Sequence, residues 1–158
     1  MNFRMIGQVI GRVLCIEALM LLPMVAALAY GESPAPFLIT IAVTGGIGLV
    51  MWRVRAKSGG MTARDGFLIV GLSWIAMSLF GALLFVLTGD IPNYIDALFE
   101  TISGLTTTGA SVVTAPEEMT RGGMFWRLFT HWIGGMGILV FVLAVLPMSG
   151  NRSMHIMR

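Results

Sequence analysis

The chain has 158 residues, of which 56% are hydrophobic and 11% charged, and its formal net charge is +2. A mean hydropathy of +0.87 excludes an ordinary soluble domain and predicts an all-α integral membrane protein, with the lipid bilayer as its surroundings. Such a small net charge does not indicate nucleic-acid binding, so no nucleic acid is expected as a partner.

Four apolar segments are long enough to cross a hydrocarbon core of roughly 30 Å, which takes about 20 helical residues. We predict these spans at residues 11–30, 34–52, 66–88 and 125–148. Short turns or basic loops join the first three spans, whereas more than thirty residues separate the last two. That long connection is therefore the unusual part of the sequence.

The charged residues separate into two groups if each span crosses once. Those predicted on one side are basic: Arg4, Arg12, Arg53, Arg55, Lys57, Arg64, Arg152 and Arg158. Those predicted on the other are Glu32, Asp90, Asp96, Glu100, Glu117 and Glu118, with Arg121 and Arg127 opposing them. Because positive loops tend to stay inside, a multi-pass protein with both termini in the cytoplasm is predicted.

Two features of the spans predict how they pack. The glycine motifs "GGIG" (residues 45–48) and "GGMG" (residues 134–137) favour close helix contact over a hinge, since small residues let backbones approach in lipid. The tryptophans Trp52, Trp126 and Trp132 are interpreted as anchors at the membrane interface. Glu17, inside the first span, is expected to face protein rather than lipid and to pair locally.

A short helix is predicted in the long connection, at "IPNYIDALFETISG". Pro92 suits a first turn, Asp96 suits the positive amino end, and Gly104 is a natural terminator. Helical spacing puts four apolar residues on one face: Ile95, Leu98, Phe99 and Ile102. At about 12 residues, the helix is too short to cross a bilayer.

The peptide "LTTTGAS" follows, and the chain then returns through a polar stretch. Thr107 and Thr108 are β-branched and favour extended backbone, while Gly109 can adopt the positive φ that turns a carbonyl inward. Consecutive carbonyls and a threonine hydroxyl can replace the water around a dehydrated cation. An ordinary turn is the plainer alternative, but the preceding short helix and the flanking spans favour an ion filter.

Asp96 and Glu100 lie one helical turn apart in the short helix. Two interpretations remain open for them: electrostatic attraction of cations in an outer vestibule, or hydrogen bonding behind the filter. Without a nucleophile, a metal-ligand cluster or a nucleotide motif nearby, catalysis is discounted. We therefore expect neither an enzyme nor a cofactor.

The stretch "DALFETISGLTTTGAS", followed by "FWRLFTHWIGGMGILVFVLAVLPM", resembles the first pore repeat of the Trk/Ktr/HKT superfamily of potassium transporters, most closely its bacterial TrkH/TrkG branch. The resemblance implies four transmembrane helices, with a re-entrant pore helix and a filter loop between the last two. It divides the chain into an amino-terminal helix pair, residues 1–60, and a pore-forming repeat, residues 61–158. In the pattern, His131 stands where bacterial members usually have glutamine.

The resemblance also implies which residues form the filter. It assigns K⁺ binding to Thr107, Thr108 and Gly109, with Ala110 and Ser111 completing the loop. It further implies potassium uptake across a bacterial inner membrane, by a channel or a symport mechanism, with a cytoplasmic nucleotide-binding regulatory subunit of the TrkA type as partner.

One chain supplies one strand of the filter, whereas a ring of carbonyls around K⁺ needs about four strands. We expect a truncated family member that contributes one quarter of the filter. The alternatives are a self-contained homotetrameric pore and a non-conducting membrane interaction protein.

Overall fold

The computed structural model describes residues 3–18, 20–54 and 63–150, with side chains in 4–18, 20–54 and 65–139. Within these residues the chain is helical and contains no strand. One 3-10 turn, Pro116–Glu118, accompanies six α-helices: α1 Phe3–Glu17, α2 Leu21–Ala29, α3 Ala35–Arg53, α4 Ala63–Thr88, α5 Tyr94–Leu105 and α6 Arg121–Gly150.

Three described segments are long and apolar enough to cross a membrane: Arg4–Ala29, Ala35–Arg53 and Asp65–Thr88. They correspond to the first three predicted spans. The fourth predicted span falls in α6, whose side chains beyond residue 139 lie outside the described set. Several charged residues used to predict the topology also lie outside it: Arg55, Lys57, Arg152 and Arg158.

The first span is divided, although its composition predicted one continuous helix. α1 ends at Glu17 and α2 begins at Leu21. Pro23 lies in the first turn of α2, where a residue without an amide hydrogen is tolerated because the first N–H groups of a helix have no intrahelical acceptor. The proline thus fits the start of a second helix better than the middle of a single one.

Glycines allow α1 and α3 to pack closely. A Cβ atom added to Gly11 would lie 2.6 Å from the backbone nitrogen of Trp52, and one added to Gly48 would lie 2.9 Å from the carbonyl oxygen of Gly11. These distances leave no room for a side chain. The structure confirms close packing at Gly48, the last glycine of "GGIG".

The core lies where α4 and α6 meet the amino-terminal helices, and its largest side chains are Trp126, Phe37 and Phe85. Trp126 was predicted to be an interface anchor, and that prediction is wrong. Its side chain is 1% exposed, and its indole nitrogen donates a hydrogen bond to the carbonyl of Gly81 at 3.1 Å. This internal acceptor lets the indole be buried, whereas Trp132 is 57% exposed.

Two acidic residues from distant loops hold the start of α6. Asp90 accepts hydrogen bonds from the backbone nitrogen of Thr120 at 2.7 Å and from its hydroxyl at 2.8 Å. Glu32 accepts from the backbone nitrogens of Arg121 and Gly122 at 2.6 and 2.9 Å. Both carboxylates therefore satisfy donors and complement the positive end of the helix dipole.

Candidate ion-binding loop

The short helix α5 is present and begins two residues after Pro92. The side chain of Asn93 caps it by accepting a hydrogen bond from the backbone nitrogen of Ile95 at 2.9 Å. Most residues that the helix buries are small or polar: Ala97, Glu100, Thr101, Ser103 and Gly104, with Leu105 beside them. Three of the four residues of the predicted apolar face are exposed, with Ile95 67%, Phe99 45% and Ile102 42% accessible, whereas Leu98 packs against the core.

α5 ends one residue later than predicted, at Leu105. The backbone nitrogen of Thr107 donates to the carbonyl of Gly104 at 2.9 Å, and that of Thr108 donates to the carbonyl of Ser103 at 3.0 Å. This pair of bonds is the Schellman motif, which requires a left-handed residue just after the helix. Thr107 occupies that position, with φ of 56°.

Thr107 was expected to be extended, and this expectation is wrong. Left-handed backbone is rare for a β-branched residue and costs roughly 1–2 kcal/mol. Glycine would normally take the position, but the nearby Gly104 is inside the helix. A Cβ atom added to Gly104 would overlap the hydroxyl oxygen of Thr130, so this glycine is required for contact with α6.

Gly109 has the predicted positive φ, at 76°, and an added Cβ atom would meet nothing within 4 Å. The carbonyl oxygens of Thr107, Thr108 and Gly109 accept no hydrogen bond from any described residue. All three residues are exposed. Three successive carbonyl groups are therefore free to bind an external ligand.

Ala110 and Ser111, also predicted in the filter, are exposed too, but each is hydrogen-bonded to a residue of α5. The carbonyl oxygen of Ala110 accepts a hydrogen bond from the hydroxyl of Ser103 at 2.5 Å. The hydroxyl of Ser111 lies 3.0 Å from both carboxylate oxygens of Glu100. These two residues fasten the outer end of the loop to α5.

Glu100 lies behind the loop and is 1% exposed. Its carboxylate accepts hydrogen bonds from the Ser111 hydroxyl, from the backbone nitrogen of Val112 at 3.0 Å, and from Nε of Arg127 at 2.5 Å. The last contact is an ion pair with α6. This position corresponds to the hydrogen-bonding interpretation rather than the vestibule interpretation.

Asp96 is separate from this cluster. It lines an open cavity of about 400 Å³ with two other carboxylate residues, Asp90 and Glu118. The cavity also borders the chain just after the loop, at Val112 and Val113. Asp96 therefore lines a cavity separate from the Glu100 cluster, and its vestibule role stays a prediction.

α6 also presses against the inner end of the loop. A Cβ atom added to Gly134 would overlap the carbonyl oxygen of Leu105, so the first glycine of the predicted "GGMG" contact is required there. The Nδ1 atom of His131 lies 3.0 Å from the carbonyl oxygen of Arg127, to which it donates when protonated at that nitrogen. Its described contact is thus local to α6.

Sequence reasoning missed Ser103 and the ion-pairing role of Arg127. Ser103 carries a weak signal, since it lies three residues after Glu100 on the same side of a short helix. Arg127 carries a stronger one, because an ionisable residue in a predicted span usually has a buried partner. The partner itself lies 27 residues away, so local pattern could not identify it.

Comparison with known proteins identifies the family to which the chain is similar. A family model described as a TrkH cation transport protein matches residues 35–158. The chain is 39% identical over its whole length to the Trk system potassium uptake protein TrkH of Vibrio parahaemolyticus, and covers 33% of that protein. It is 40% identical to TrkG of Escherichia coli K12 and 33% identical to TrkI of Halomonas elongata, both potassium uptake proteins, over 83% and 82% of its length.

These last two matches cover 28% and 26% of the relatives. The chain therefore spans about a third or less of the length of the curated relatives it matches.

Proposed function

Because the chain belongs to the TrkH family of cation transport proteins, we propose that it is a membrane component of a potassium uptake system and supplies one strand of its ion filter. The relatives cited above are named as potassium uptake proteins. One observation carries the proposal: the carbonyl oxygens of Thr107, Thr108 and Gly109 have no described protein partner, although both ends of their loop are held by hydrogen bonds.

The chemistry of these groups suits a dehydrated K⁺ ion. Carbonyl dipoles can replace the hydration shell of the ion without adding a full negative charge that would hold it too tightly to leave. The loop also follows the carboxyl end of α5, where the helix dipole adds negative potential. We assign K⁺ contact to Thr107, Thr108 and Gly109, and support of the loop to Ser103, Glu100, Ala110 and Ser111.

The surroundings of the loop support a membrane pore. Non-helical backbone at membrane depth is tolerated only where it lines an aqueous cavity or is buried in protein. We propose that α5 and the loop re-enter the membrane between α4 and α6, and that α6 is the fourth span. The proposed orientation has both termini in the cytoplasm of a bacterial inner membrane, following the charge distribution.

A single strand cannot surround the ion, so further filter strands are required. The exposed apolar face of α5 supports this requirement, because Ile95, Phe99 and Ile102 offer a surface for neighbouring pore segments. We propose that the chain forms one quarter of the filter, with the other strands supplied by further repeats of a longer polypeptide. Further copies of the chain are the alternative source, and family resemblance adds a TrkA-type regulatory subunit.

Replacing Gly109 with alanine tests the filter. An added methyl group has space, so Gly109→Ala challenges only the positive φ of the backbone. We expect K⁺ uptake to lose its preference over Na⁺, measured in cells without endogenous K⁺ uptake. Gly46→Ala is the matched control, because that glycine also has nothing within 4 Å but lies in α3. An unchanged K⁺ to Na⁺ ratio in Gly109→Ala would refute the filter assignment.

The source of the other strands is tested by expressing the chain alone and as part of a longer family polypeptide. Uptake by the chain alone, with a tetramer in native mass spectrometry, would support a self-assembled pore. Uptake only by the longer polypeptide would support four repeats in one chain. The absence of cation uptake in both forms would favour a non-conducting interaction protein instead.

A further inference from the structure

We propose that Arg127 is a positioning residue for the filter: it acts through Glu100 to fix the outer end of the loop, and thereby sets the discrimination between K⁺ and Na⁺. This inference rests on the proposed function. Arg127 belongs to α6, and among the described residues its side chain bonds to the carboxylate of Glu100, which in turn holds the loop. Its effect on an ion would therefore be indirect.

The ion pair between Glu100 and Arg127 is buried. The Glu100 side chain is 1% exposed and that of Arg127 is 17% exposed. A charged carboxylate at such depth is costly unless a cation and hydrogen-bond donors compensate it. Arg127 is the cation that the described contacts of Glu100 provide, so the position of the carboxylate depends on it.

The other hydrogen-bond donors to Glu100 lie just after the proposed filter residues. Ser111 and Val112 both bond to the same carboxylate, and they follow Gly109 and Ala110 directly in the chain. The carboxylate therefore holds the backbone within three residues of the last proposed ion-binding carbonyl. If Glu100 moved, the outer part of the loop would lose two of its attachments together.

Helix α6 supports the loop at both of its ends. Gly134 contacts the Leu105 carbonyl at the inner end, and Arg127 reaches the outer end through Glu100. Gly134 and Arg127 are two helical turns apart on α6, so this helix sets the distance between the two ends of the loop. A helix fixed at its own start by Glu32 and Asp90 is a rigid support for this purpose.

The experiment compares the K⁺ to Na⁺ uptake ratio of wild type, Arg127→Met, Glu100→Gln and the double variant in a transporting assembly. We expect each single change to lower the ratio about tenfold, the size of one hydrogen bond to a charged group. The double variant should be no worse than the singles, since both remove the same link. Additive losses would overturn the proposal.

Arg121→Met is the matched control. Arg121 is also a residue of α6, but it contacts Glu32 through its backbone and Tyr30 through its side chain. Its ratio should equal that of wild type. A purely structural role of Arg127 predicts less protein in the membrane but an unchanged ratio in the protein that remains, and that result would also overturn the proposal.

Arg127→Lys covers the case in which Arg127→Met does not reach the membrane. Lysine keeps the charge but lacks the Nε donor, so the ratio should fall between those of wild type and Glu100→Gln. A wild-type ratio in both Arg127→Lys and Glu100→Gln would overturn the inference. If wild type itself does not prefer K⁺, the proposed function fails; if wild type and Gly109→Ala differ as expected but Arg127 variants do not, only this inference fails.

Discussion

Two nearly fully buried glutamates lie in two regions of the molecule, and their surroundings differ. Glu100, in the loop region, is 1% exposed and is held by Ser111, Val112 and Arg127. Each of its oxygens has a partner. The carboxylate is thus part of a hydrogen-bonded cluster that joins α5, the loop and α6.

Glu17, at the end of α1, is 4% exposed, and its Oε2 atom has no hydrogen-bond partner among the described residues. Its other oxygen would lie 3.0 Å from a Cβ atom added to Gly81 of α4. The same Cβ position is 3.0 Å from Thr101 and 3.2 Å from Trp126. Glu17 therefore lies where α1 packs against α4, α5 and α6, and the local partner predicted for it is not found among the described residues.

The difference shows that burial by itself does not define the role of an acidic residue in a membrane protein. Removing one partner of a buried ion pair leaves the other charge uncompensated, whereas neutralising an unpaired carboxylate removes a cost. The same substitution should therefore have opposite consequences in the two regions.

Glutamine at each position gives the largest expected contrast. Glu100→Gln should lower the free energy of unfolding by about 3 kcal/mol, because Arg127 loses its buried partner. Glu17→Gln should change it by less than about 1 kcal/mol, or raise it, because no described partner is lost. Thermal denaturation of the two variants in the same detergent measures the difference. Equal destabilisation would show that Glu17 has an essential partner too, and would remove the contrast.

Alanine at a glycine in each region tests how rigid the surroundings are. Gly134→Ala should destabilise by about 2 kcal/mol, because its new methyl group meets the Leu105 carbonyl, which is backbone. Gly81→Ala should cost less, since the atoms around it belong to side chains. Gly135→Ala is the control, with Thr107 at 3.9 Å. A larger loss at Gly81 than at Gly134 would mean that the Glu17 region is the more rigid one.

The smallest expected change in stability concerns Thr107, the one described non-glycine residue with positive φ. Thr107→Gly should stabilise the fold by about 1 kcal/mol by relieving left-handed strain, and should lower the K⁺ to Na⁺ ratio by loosening the loop. Thr108→Gly should instead destabilise the fold, because glycine relieves no strain there and only increases the conformational entropy of the unfolded chain. Loss of stability in Thr107→Gly would show that contacts of the side chain outweigh the strain.

Much of the helical layout could be predicted from the sequence. The predicted spans 34–52 and 66–88 correspond to α3 and α4, and the short helix was placed within a few residues of α5. These elements depend on local properties: the length of an apolar run and the Pro, Asn and Gly residues at its ends. The positive φ of Gly109 could be predicted for the same reason, because glycine is the residue that adopts it most easily.

The sequence by itself also determined that the chain is a membrane protein with a loop of threonines followed by glycine, because composition and residue type do not depend on contacts between distant residues. Only the tertiary structure decided that the first span is two helices, that Trp126 is internal, and that Thr107 takes the left-handed position. It also showed that Ala110 and Ser111 are hydrogen-bonded to α5, and joined Arg127 to Glu100. Each of these outcomes depends on which atoms of other helices are close enough to form a hydrogen bond or to exclude a side chain. That proximity is set by packing rather than by any local pattern.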